Sequence, residues 1–105
     1  MRALNNKLEK ITKDLKDYTH ELQSNNLHDQ AIVSLEALAK IDRSGYAEVQ
    51  LGQLYSGNKG IPKNLSASRS WFKKGADAGN AKAMYTYGVM LLNGIGGNQD
   101  LEGAR

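Results

Sequence analysis

The chain has no cysteine. That excludes a disulfide framework and any thiolate metal site. It has one proline, Pro62, one tryptophan, Trp71, and one phenylalanine, Phe72. Its only histidines, His20 and His28, lie eight apart across a stretch that reads as a turn, with no further ligand at a metal-binding spacing. No apolar run approaches the ~20 residues that a membrane-spanning helix needs. The N-terminal stretch MRALNNKLEKITKDLKDY lacks the apolar centre of a secretion signal, so the cytoplasm is the expected location.

Clustered charge is also missing. The net charge is +3, but Lys7, Lys10, Lys13 and Lys16 are interleaved with Glu9, Asp14 and Asp17, the pattern of a solvated helix face. A nucleic-acid surface would gather its basic residues among aromatics. Only Lys73-Lys74 beside Trp71-Phe72 approaches that, so neither nucleic acid nor membrane is expected as a partner. Nothing pairs a nucleophile with a base, and no G-x-S-x-G elbow occurs. Gly94-Ile95-Gly96-Gly97 follows a helical pattern and precedes Asn98-Gln99-Asp100, so it lacks the setting of a phosphate loop. No catalytic residue, cofactor or metal is expected.

What the chain does have is a repeat. Leu51-Gly52-x-x-Tyr55 returns 36 residues later as Tyr87-Gly88-x-x-Leu91. Ala47 returns as Ala83, Gly60 as Gly96, Asn64 as Asp100 and Leu65 as Leu101. A period of this length marks a helical solenoid, in which each unit buries its apolar face on its neighbours.

Apolar spacing places the helices. Leu4, Leu8, Ile11, Leu15, Tyr18 and Leu22 draw one stripe down a helix from about 2 to 23, ended by Ser24-Asn25-Asn26. A second helix is expected at 28–42, a third at 46–56, a fourth at 65–78 capped by Asn64, and a fifth at 81–93. A sixth would begin at Asp100.

The residues Ala47, Leu51, Gly52, Tyr55, Gly60, Ile61, Asn64, Trp71, Phe72, Lys74 and Ala76, followed by Gly79-Asn80-x-x-Ala83, resemble the unit of the Sel-1-like repeat, a relative of the tetratricopeptide repeat. The resemblance covers residues 45–97. Ser68 and Gly75 replace alanines of the motif, Asn58 replaces a glycine, and Tyr87 and Leu91 exchange places. The implied fold is all-α, a short right-handed α-solenoid of antiparallel helical hairpins. Residues 1–44 would form an N-terminal capping hairpin, 45–80 a first repeat, and 81–105 a second, incomplete repeat of one domain. Trp71 would supply the large apolar body between units, and Gly52 and Gly88 would let helices approach closely.

The resemblance implies a protein-binding adaptor or scaffold rather than an enzyme. First helices line the inner face in related repeats, so the positions the motif leaves free should form the binding strip. These are Tyr46, Val49, Gln50 and Gln53, with their 36-residue images Lys82, Tyr85, Thr86 and Val89. Two other readings fit: a bacterial immunity or inhibitor protein that covers a cognate toxin, and the N-terminal piece of a longer array. No tryptophan-bearing helix follows Tyr87 and Leu91, so the C-terminal face would be open to a second copy, a partner chain or downstream sequence.

Overall fold

In the structure, a computed structural model that describes residues 2–58 and 61–98, the expected helices form within a few residues of their predicted bounds. They are α1 (Arg2–Ser24), α2 (His28–Ile41), α3 (Tyr46–Gln53), α4 (Leu65–Asp77) and α5 (Ala81–Asn93). No strand occurs among the described residues. The third helix differs from expectation: α3 stops at Gln53 and widens into a π-helical turn over Leu54–Asn58, which Gly57 leaves at φ 97°. There the carbonyls of Gln53 and Gly52 accept the hydroxyls of Ser56 and Ser68, the latter at 2.7 Å. Ser68 is fully buried, which gives its departure from the repeat's alanine a physical use. The expected sixth helix and Gly60 lie outside the described residues.

Each helix packs on the next in the chain, and α3 also meets α5, the arrangement of an α-solenoid built from helical hairpins. The molecule measures 45 × 33 × 15 Å.

Two apolar clusters hold the units together. The first gathers Leu35 and Leu38 of α2 with Ala47 and Leu51 of α3, Leu54 and Ile61. The second joins Val49 of α3, Phe72 of α4, and Ala83 and Met90 of α5. Phe72, 5% exposed, is the aromatic buried between units. Trp71 is only half-buried at the edge of the first cluster, with the Lys74 ammonium 4.2 Å from its ring centre. The inter-unit role expected of Trp71 therefore falls to its neighbour.

Glycine makes this packing possible at two places. A Cβ on Gly52 would stand 2.6 Å from the Phe72 ring, and one on Gly75 would stand 2.8 Å from Ala83 Cβ. Contacts that short do not survive a side chain, so α3 meets α4, and α4 meets α5, over bare backbone.

The stripe on α1 is used only in part. Leu22 is buried and Leu15 half-buried, but Leu4, Leu8, Ile11 and Tyr18 are exposed. Two causes act: α2 lies against the side of α1 that carries Leu15, Thr19 and Leu22, which leaves Ile11 and Tyr18 to solvent, and α1 is the longer helix. Thr19 and Ser34 share a buried hydrogen bond at 2.6 Å, which sets α1 antiparallel beside α2. Helix α1 has 23 residues and α2 has 14, so the first turns of α1 run past the end of α2. Among the described residues, no other helix packs along them.

Candidate functional site: a face formed by α3 and α5

One side chain ties the start of α5 to the start of α3, beside the apolar packing of Val49 on Ala83 and Met90. Asn80 Oδ1 accepts from the Ala83 N–H at 3.0 Å and so caps α5. Its Nδ2 donates to the Ser44 carbonyl at 3.1 Å, tying the start of α5 to the start of α3. Ser44 is the residue one repeat earlier than Asn80. The link thus joins matching points of successive units.

A second network sets Tyr46. Asp42 accepts from the Ser44 N–H at 3.1 Å and from its hydroxyl at 3.0 Å, and pairs with Lys16 at 3.4 Å. The Ser44 hydroxyl oxygen accepts from the Tyr46 N–H at 3.2 Å, and the Lys16 ammonium stands 4.7 Å from the Tyr46 ring centre. Burial works to raise the Asp42 pKa. The Ser44 N–H, the Ser44 hydroxyl and Lys16 outweigh it, and the carboxyl titrates below its ordinary value.

Of the eight strip residues expected from the sequence, Lys82 and Tyr85 are exposed. Tyr46, Gln50, Gln53, Thr86 and Val89 are half-buried. Val49 does not belong with them. It is 4% exposed and packs in the cluster with Phe72, Ala83 and Met90. The reason is that α3 has α2, α4 and α5 around it, so its buried arc is wider than one stripe. The counterpart of Val49 in α5, Tyr85, is 76% exposed.

The open side of α5 was also expected to include Tyr87 and Leu91. Leu91 is in fact buried and Tyr87 half-buried. The exposed apolar residues are Met84 and Leu92 beside Tyr85. Sequence reasoning passed over Met84 and Leu92, because the repeat motif assigns them no task.

His20 is exposed and His28 half-buried. Among the described residues, no group of three or more His, Asp or Glu side chains is placed to hold a metal ion. No described helix is long and apolar enough to cross a membrane.

The Sel1 repeat family profile matches residues 45–80 and 81–105, more than half of the chain. The chain belongs to the Sel1 repeat family, whose members are generally protein–protein interaction modules and typically non-enzymatic scaffolds. Its fold is similar to the crystal structure of a Sel1 repeat protein from Oxalobacter formigenes, with a TM-score of 0.68 and 27% sequence identity over 99% of this chain and 84% of that one. No curated protein matches.

Proposed function

We propose that the chain is a binding module that holds a partner protein or peptide on the face formed by α3 and α5. Tyr46, Gln50, Gln53, Lys82, Tyr85, Thr86 and Val89 are its contact residues. One observation carries the reading: Tyr85, an aromatic of α5, is 76% exposed, while the matching residue of the preceding unit, Val49, is buried. Tyrosine at such a position offers a rigid amphipathic anchor with little entropy to lose. The glutamines and Thr86 around it offer polar edges for orientation. The chain acts by occupancy, as an adaptor or scaffold. Residues 1–44 serve as the capping hairpin of the same domain.

The inhibitor reading is the special case in which the partner is a toxin. The strip carries Lys82 and no carboxylate, so it lacks the acidic surface that a basic nuclease would favour.

The test is capture from a lysate of the source organism, followed by affinity measurement with the purified partner. Tyr85→Ala and Lys82→Glu should each weaken binding about tenfold or more. Val33→Asp, on an exposed position of α2, should not. Unchanged affinity for both strip variants, with helical content intact, would place the partner elsewhere.

A further inference from the structure

The exposed turns of α1 carry a pattern that α2 does not use. Leu4, Leu8 and Ile11 are 55%, 40% and 48% exposed. They step by four and three residues, the spacing of a coiled-coil seam. Tyr18 continues the row and is also exposed. The row is half open because α2 lies against the side marked by Leu15, Thr19 and Leu22. The side marked by Lys7, Ile11, Asp14 and Tyr18 faces solvent.

We infer that this face of α1 pairs antiparallel with α1 of a second copy of the chain. The flanking charges select both the occupant and the direction. Lys7 and Asp14 border the seam on the same side, one heptad apart and opposite in sign. In a parallel pair Lys7 would face Thr12, and Asp14 would fall at the level of Thr19, which is buried against α2, so neither gains a charge partner. In an antiparallel pair with Leu8 opposite Ile11, Lys7 faces Asp14 of the second copy. The two-fold axis then repeats the contact in reverse. On the other side of the seam Asn5 meets Thr12, which is polar and uncharged. Within its own chain Asp14 has only Lys10, at 3.8 Å between exposed side chains, and Lys7 has no carboxylate partner among the described residues. The open side of α5 has apolar residues too, but no pair of opposite charges among the described residues to fix a second copy.

A seam of two heptads is short, so association should be weak, with a dissociation constant on the order of 100 μM. Sedimentation equilibrium of the full chain from 5 to 500 μM should show its mass rise toward a dimer. Lys7→Glu places like charges together twice and should weaken association by about tenfold, as should Asp14→Lys. The combined Lys7→Glu/Asp14→Lys variant should recover it. Leu8→Asp, checked for unchanged helicity, should abolish it. Because the chain has no cysteine, Lys7→Cys and Asp14→Cys variants report direction. Mixed and oxidised, they should cross-link to each other in preference to themselves. A monomer at 500 μM with no cross-link overturns the proposal. Preferential self-linking of each variant, which indicates a parallel pair, also overturns it. So does a Leu8→Asp dimer as stable as the wild type, which would place the contact on another face such as α5.

Discussion

The ring of Phe72 occupies the space that a side chain at Gly52 would need. A Cβ there would lie 2.6 Å from the ring. Two effects oppose each other in Gly52→Ala. Alanine gains about 1 kcal/mol of helix propensity over glycine. Overpacking a closed core costs ~1–3 kcal/mol. Phe72 is 5% exposed and has little room to swing, so the second effect should win, with a net loss of about 1 kcal/mol in urea denaturation. Adding Phe72→Leu should relieve the conflict and shrink the penalty of the alanine. A stabilised Gly52→Ala single variant would refute the close approach.

The neighbouring aromatics should separate clearly. Phe72→Ala opens a cavity between units and is expected to cost ~3–5 kcal/mol. Trp71→Ala removes a half-buried ring stacked under Lys74 and should cost about half as much. Equal losses in denaturant unfolding would mean that Trp71 carries inter-unit packing after all.

Val49 and Tyr85 hold the same place in successive units and should respond in opposite ways. Val49→Ala removes buried methyl groups and should cost about 2 kcal/mol. Tyr85→Ala removes a ring that stands mostly in water and should change stability by less than about 0.5 kcal/mol. Thermal melts of the two variants measure this. A Tyr85→Ala variant as damaged as Val49→Ala would make position 85 a packing site.

The Thr19–Ser34 hydrogen bond sets the register of the first hairpin, and both hydroxyls are buried. Thr19→Val leaves the Ser34 hydroxyl without that partner and should cost ~1–2 kcal/mol. Combining Thr19→Val with Ser34→Ala removes both polar groups and should recover most of the loss. A double-mutant cycle gives the coupling directly. Purely additive losses would show that the bond contributes nothing.

Asp42 predicts a pH dependence. Its folded-state pKa is lowered, so the folded protein holds the carboxylate more tightly than the unfolded chain does. The stabilisation is present above the ordinary aspartate value near ~3.9 and is lost as pH falls through the lower folded-state value. Asp42→Asn should therefore melt below wild type at pH 7, and the gap should close as pH drops below about 4. A gap that stays constant down to pH 2 would remove the charge argument.

Most helix bounds, the 36-residue register, the Asn64 cap and the family were legible in the sequence alone. Apolar spacing, turn residues and repetition are local properties of the chain, and the close match of α1, α2, α4 and α5 to expectation reflects that. Burial is not local. The apolar stripe on α1 predicts a buried face, yet Leu4, Leu8, Ile11 and Tyr18 are exposed, because α2 lies against the side of Leu15, Thr19 and Leu22 and leaves the other side of the stripe to solvent. Val49 and Tyr85 are equivalent by register and opposite in exposure, because α5 covers one and no described helix covers the other. Trp71 and Phe72 are adjacent in the chain, and only the placement of Gly52 opposite Phe72 decides which is enclosed. The sequence by itself determined which segments are helices and which positions repeat. The tertiary structure decided which of those positions meet a neighbour, since that depends on the relative lengths and register of helices far apart in the chain.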